Sequence, residues 1–332
     1  MPPHAGHKFL MDFAASFCDE VTVLVCSLPT DPIPGGLRYR WVRELAPGLT
    51  VHHLADEMPQ DPTQSDRFWP LWREAILRCE PRGIDFVFAS EPYGERLAAE
   101  LGARFIPVDL HRQIVPCSGT AIRSDPMAHW AMIPECVRPY FVKRVCLVGP
   151  ESSGKSTLAA RLAARFNTVR AWEHARPLLD LKAGRCDAED IPVIAQSQTA
   201  IEDVMARRAN RVLFCDTSVL LTKVWSDVLF SAVPPAVADV AARVRYDLAL
   251  LLAPDIPWVD DSQRYFPNQD DRDRFFEWCR VELERVGQPY VVISGTFEER
   301  EERAVEAVRR ATGIAPVVDP PAPVVMAGGN GR

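Results

Sequence analysis

The stretch Gly149-Pro150-Glu151-Ser152-Ser153-Gly154-Lys155-Ser156-Thr157 leaves the chain around it few ways to fold. It has the spacing G-x-x-x-x-G-K-[ST], with the apolar run VCLVG before it and STLAARLAARF, apolar at helical spacing, after it. A buried strand must run into such a loop and a helix must leave it. Only then do successive backbone N–H groups converge where the positive end of the helix favours an anion. Gly149, Ser152, Ser153, Gly154, Lys155, Ser156 and Thr157 are therefore the expected contacts of ATP phosphates. Lys155 supplies a point charge there, and the Ser156 hydroxyl is a ligand for Mg²⁺.

One strand and one helix do not make a core, and the rest of the sequence repeats the same rhythm. Apolar runs of strand length occur at 143–149 (KRVCLVG), 211–216 (RVLFCD), 246–253 (YDLALLLA) and 289–294 (PYVVIS), with helical patterns between them. An earlier series reads VTVLVCSL (21–28), DFVFAS (85–90) and ARFIPVD (103–109). Alternation of this kind implies α/β architecture, here two parallel-sheet domains in one chain. The segment 125–143, rich in Pro and aromatic residues, separates them. The expected organisation is residues 1–140, residues 141–313, and a disordered tail at 314–332, where Pro and Gly occur without periodicity.

At 332 residues, with 47% hydrophobic and 25% charged, the chain can bury two real cores. A net charge of -7 argues against a nucleic-acid partner, which needs a basic footprint. There is no apolar run long enough for a membrane span and no secretory signal, so the expected location is cytoplasmic. The nine cysteines form no Cys-x-x-Cys pair and read as small apolar residues.

Further residues narrow the second domain's chemistry. Asp216 ends the run VLFCD, where a carboxylate can hold Mg²⁺ with Ser156 or accept a proton from a substrate hydroxyl. The domain lacks an Asn-Lys-x-Asp guanine-reading element and a Leu-Ser-Gly-Gly signature, and its short length suits a small-molecule kinase. Arg264, within the loop 258–276, is the candidate for neutralising charge on the transferring phosphoryl group.

The chain opens with His4-Ala5-Gly6-His7. Two imidazoles at a strand-to-helix turn can contact a triphosphate, and Gly6 lets the backbone come close. Ser118-Gly119-Thr120-Ala121-Ile122-Arg123 reads as a loop opening a helix. There Ser118 and Thr120 contact ATP and Arg123 meets phosphate, completing a triphosphate clamp with His4 and His7.

Taken together, PPHAGH (2–7), SLPTDPIPGGLR (27–38), FWPLWREAI (68–76), SEPYGERLA (90–98), VPCSGTAIRSDP (115–126), VRPYFVKRV (137–145), GPESSGKST (149–157), AWEHAR (171–176), DTS (216–218) and WVDDSQR (258–264) resemble the bifunctional NadR family. The likeness runs to about residue 312. It implies a Rossmann-like nucleotidyltransferase domain followed by a P-loop ribosylnicotinamide kinase, with Mg²⁺, ATP, ribosylnicotinamide and nicotinamide mononucleotide as partners and a homo-oligomer as an admissible assembly. For the kinase it implies substrate handling by Glu173 and Arg176, with Glu173 and Asp216 both able to take the hydroxyl proton. Trp172 can stack on a ring or pack in the core, and packing is the expectation. The family places a strand and a Gly-x-Phe turn ahead of its His-x-Gly-His element, and this sequence opens inside that turn. The first domain is thus expected to lack its first strand, with Met1 an internal methionine of a longer chain; a genuine truncation would leave the kinase alone working. The family's helix-turn-helix region is not in the sequence, so DNA binding is not expected. Two other readings are a nucleotide-sensing module and a kinase for another small nucleoside.

Overall fold

Every apolar run named above contains a strand in a computed structural model, which describes residues 2–259 and 264–317. By contacts the chain divides into two units, Met1–Val137 and Arg138–Arg332.

The first unit runs α1 (Ala5–Phe17), β1 (Thr22–Cys26), α2 (Gly35–Leu45), β2 (Thr50–Leu54), α3 (Phe68–Cys79), β3 (Phe86–Ala89), α4 (Tyr93–Leu101), β4 (Arg104–Pro107) and α5 (Gly119–Ser124). Strand β2, with His52 and His53 at its centre, carries too little apolar signal to be read from sequence. β1 pairs in parallel with β2, and β3 in parallel with β4. Among the described residues these remain two separate two-stranded sheets. Helix α1 touches both. Met11 shares a core cluster with Val25, Val42 and Ala46, while Phe17 meets Phe86 and Phe88 edge-on at ring distances of 5.2 and 5.5 Å. A single helix thus spans two strand pairs that do not pair with each other. The cost shows in the burial: Val25 in β1 and Ala89 in β3 are the one fully buried residue of their strands.

The second unit runs α6 (Arg138–Phe141), β5 (Lys143–Val148), α7 (Lys155–Arg165), β6 (Arg170–Ala171), α8 (Ala175–Leu181), α9 (Asp190–Arg208), β7 (Val212–Asp216), α10 (Val219–Phe230), α11 (Pro235–Arg243), β8 (Leu248–Leu252), α12 (Gln269–Arg285), β9 (Tyr290–Ile293) and α13 (Phe297–Thr312). Its five strands form one parallel sheet in the order β6-β7-β5-β8-β9. β5, β7 and β8 pair on both edges and are covered on both faces, which is why they are apolar without alternation. Val145, Cys146, Leu147, Leu213, Phe214 and Leu250 are fully buried. The chain crosses from β7 to β8 over β5, so the phosphate loop after β5 opens at the point where strand order changes side. Order also extends past the expected start of the tail. Ile314 is buried and the Val317 amide donates to the Arg165 carbonyl at 2.8 Å; the remainder of that tail, 318–332, lies outside the described residues.

The contrast between the units predicts different protection. Amides of β1 and β3 should exchange with deuterium on the order of 100-fold faster than those of β5, β7 and β8, because half-buried edges open locally. Equal protection, measured by mass spectrometry on the intact protein, would contradict this account of the first unit.

Candidate active site

The loop after β5 is shaped by close approach. Gly149 has φ +139, and a Cβ there would lie 2.6 Å from the Leu252 carbonyl oxygen of β8, so only glycine fits. Gly154, at φ +85, turns the chain into α7. The Ser153 hydroxyl is buried and donates to the Pro150 carbonyl at 2.7 Å. Lys155 Nζ curls back to donate to the carbonyls of Gly149 (3.0 Å) and Pro150 (2.7 Å). Burial pulls the Lys155 ammonium below its usual pKa, with Glu173 and Asp216 opposing the shift.

From the other side, Arg264 Nη1 and the Val259 amide both donate to Ser152 Oγ, at 2.7 and 2.9 Å. The Phe266 amide donates to Glu151 at 2.6 Å. The cation expected near the phosphates is therefore at the loop. Asp260, Asp261, Ser262 and Gln263 of the WVDDSQR segment lie outside the described residues.

A cleft of about 190 Å³, partly open to solvent, joins the loop to the substrate candidates: Lys155, Ser156, Glu173, Arg176 and Arg264 all line it. Arg176 Nε donates to Glu173 at 3.1 Å. Burial raises the Glu173 carboxyl above its usual pKa, against the pull of Lys155. Asp216 stands behind the cleft wall, 2% exposed; its Oδ1 has no hydrogen-bond partner and its Oδ2 is 3.6 Å from Arg170. Arg170 in turn donates to the Ser156 carbonyl at 2.9 Å. Next to Asp216, Thr217 lines the cleft with φ +90, a backbone region costly for a β-branched residue.

One expectation needs correction. Trp172 does not pack in the core: it is 47% exposed, because the short β6 ends at Ala171 and leaves the next side chain outside the sheet. The histidine pair, expected to contact a triphosphate, also closes the start of its own helix. His4 is the N-cap of α1, its Nδ1 accepting from the Gly6 amide at 3.1 Å, while His7 Nδ1 accepts from the His4 amide at 3.3 Å. Both rings thus carry their proton on Nε2. Gly6 is needed for the His4 ring, which would sit 2.9 Å from a Cβ there. Burial, with the neighbouring Arg112 charge, pulls His4 down to about 3 and His7 to about 4, so both are neutral at pH 7 and can act only as N–H donors.

Ser118 also caps its helix, accepting from the Ala121 amide at 3.1 Å, and Thr120 and Arg123 are exposed on α5. Arg112, which the sequence reading missed, links the two elements: its charge acts on both histidines and its Nη1 donates to the Cys117 carbonyl at 2.9 Å. Gln198 was missed as well. It is 1% exposed, lines the cleft, and its Oε1 accepts from the His174 amide at 3.1 Å. A lone glutamine within a helix offers no sequence signal.

Residues 144–300 match the AAA domain family. The trifunctional NAD biosynthesis/regulator protein NadR of Escherichia coli (strain K12) is 29% identical over 340 residues, covering 94% of this chain and 81% of that protein. The chain is similar to NadR over nearly its whole length. The NadR of Salmonella typhimurium (strain LT2) is 28% identical over 337 residues with the same coverage. NadR crystal structures in complex with NR, and with NAD and AMP-PNP, share the fold at TM-scores of 0.75 and 0.74 and 22% identity, over 94% of both chains.

Two outcomes follow. Thr217→Gly should release backbone strain and stabilise the protein by about 1 kcal/mol in urea unfolding; a destabilised variant would refute the strain. For the histidines, the unfolded chain takes up protons near pH 6.5 while the folded one stays neutral down to about 4 and 3. Stability of α1 should therefore fall as pH drops from 6.5 through 4. His4→Asn, still able to cap, should flatten that slope in urea midpoints measured across pH; an unchanged slope would contradict the burial of His4.

Proposed function

We propose that this chain carries out two steps of NAD synthesis: phosphorylation of ribosylnicotinamide by ATP, and adenylyl transfer from a second ATP to the resulting mononucleotide. The name of the Escherichia coli relative, a NAD biosynthesis/regulator protein, supports this reading. The observation that carries it is the opening of the phosphate loop and the Glu173–Arg176 pair into one cleft.

In the phosphorylation, ATP lies with its phosphates along the amides of Ser152–Thr157, and Lys155 leaves the loop carbonyls to meet them. Glu173 takes the proton of the ribose 5′-hydroxyl. The freed oxygen attacks the γ-phosphorus, and the bond to ADP breaks. Its position on the cleft wall and its raised pKa favour Glu173 over the recessed Asp216 for that proton. Arg176 orients Glu173, and Arg264 offsets charge on the transferring group.

Asp216 fits a second role. A buried carboxylate oxygen with no hydrogen-bond partner, on a side chain that shares Arg170 with the Ser156 carbonyl, suits Mg²⁺, which asks few protein ligands when phosphates supply the rest. Ser156 and Asp216 would hold it, and bound there it neutralises phosphate charge.

Adenylyl transfer is assigned to the first unit. The 5′-phosphate of the mononucleotide attacks the α-phosphorus of ATP, and pyrophosphate leaves. The Nε2–H groups of His4 and His7, with Arg112, Ser118, Thr120 and Arg123, are the donors available to the triphosphate. Among the described residues no helix is long and apolar enough to cross a membrane, and a cytoplasmic setting fits nine cysteines held without a disulfide.

Lys155→Ala, assayed in the intact protein for both reactions, is the test. Phosphorylation should drop by about 100-fold or more, as expected for loss of a preorganised charge on the transferring group, with adenylyl transfer unchanged. Equal loss of both would contradict two independent sites. No phosphate transfer from wild-type protein to ribosylnicotinamide, with transfer to another nucleoside, would replace the substrate assignment.

A further inference from the structure

Glu173 owes its direction to very little of the regular structure. It lies between the two-residue strand β6 and α8, beside the exposed Trp172. The next peptide is held from α9 instead. Gln198 Oε1 accepts the His174 N–H at 3.1 Å, and Gln198 Nε2 donates to Glu202 Oε1 at 3.3 Å, one helical turn further on. The amide cannot turn over, because that would set NH₂ against N–H and oxygen against a carboxylate. Glu202 is fixed in turn. It is 1% exposed, receives the Tyr246 hydroxyl at 3.1 Å from each carboxylate oxygen, and has Arg144 Nη1 at 3.7 Å. One buried glutamine, tied to a carboxylate that Tyr246 and Arg144 hold, thus forms part of the cleft wall.

We propose that Gln198 is a positioning residue for phosphoryl transfer: anchored on the Glu202–Tyr246–Arg144 cluster, it fixes the peptide after Glu173 and so aims the Glu173 carboxylate at the substrate hydroxyl. This rests on Glu173 being the proton acceptor. A chain of fixed groups leads from the sheet to the reacting atom, and misplacement of the base by an ångström is costly.

The test uses the intact protein with ATP and ribosylnicotinamide. Gln198→Leu, which can neither accept nor donate, should lower kcat by about 100-fold while the KM for ATP stays within about twofold. Glu173→Gln should lower kcat as well, and Gln198→Leu added to it should lower it no further. Gln198→Glu gives a readout that a packing role would not move. As a carboxylate it faces Glu202 from one side and the Glu173 side of the cleft from the other. Once protonated, its C=O can accept the His174 N–H and its O–H can donate to Glu202. Its kcat, taken relative to wild type at each pH, should therefore recover as pH falls. Three results would each overturn the proposal: additive losses in the double variant, a Gln198→Leu defect confined to KM for ATP, or no recovery of Gln198→Glu at low pH. Wild-type kcat in Glu173→Gln would instead remove the base assignment on which it stands. Should Gln198→Leu fail to fold, Gln198→Glu decides alone.

Discussion

One buried guanidinium holds the second unit's chemistry in place. Arg300, 1% exposed on α13, donates to the carbonyls of Ser153, Ala253 and Gly295 at 2.8–2.9 Å and pairs with Asp255. A phosphate loop must keep its N–H groups pointing inward, so its carbonyls point away and need partners of their own. Arg300 supplies one for Ser153 and ties the loop to the ends of β8 and β9. Its charge can be buried because each of its three nitrogens is hydrogen-bonded. The loop is therefore shaped before any nucleotide arrives, and ATP meets amides that need no reorganisation.

The cleft built on that loop places unlike environments next to each other. Lys155 and Glu173 each have burial acting against their charged form while attracting one another. In the proposed phosphorylation, Lys155 would leave the loop carbonyls for phosphate, and Glu173 would lose the cation that favours its ionised form. The first unit uses its polar groups in the opposite way. The Nδ1 atoms of His4 and His7 are spent on closing the start of α1, so what remains for a ligand is two neutral N–H donors and the charge of Arg112.

Much of this was legible residue by residue. The loop 149–157 announces itself because its function depends on local backbone geometry, and local geometry is written in consecutive residues. The strands β5, β7 and β8 were legible because a strand covered on both faces must be apolar throughout. β2 and β6 were not: one carries two histidines and the other is two residues long. Glu173 and Arg176 were found through the resemblance of AWEHAR, but Gln198, Arg112 and Arg170 have no pattern of their own. Each matters through a partner 5 to 46 positions away: Cys117 for Arg112, His174 for Gln198, Asp216 for Arg170.

The sequence by itself determined that this chain builds parallel sheets twice and that the turn after β5 is shaped to receive an anion, since hydrophobic period and a glycine-shaped turn are local properties. Tertiary structure alone decided which carboxylate lines the cleft and which lies behind it, what each histidine nitrogen is committed to, and that the first unit's strands stay in two pairs. Those outcomes depend on burial and on partners from distant segments, and neither exists until the chain has folded.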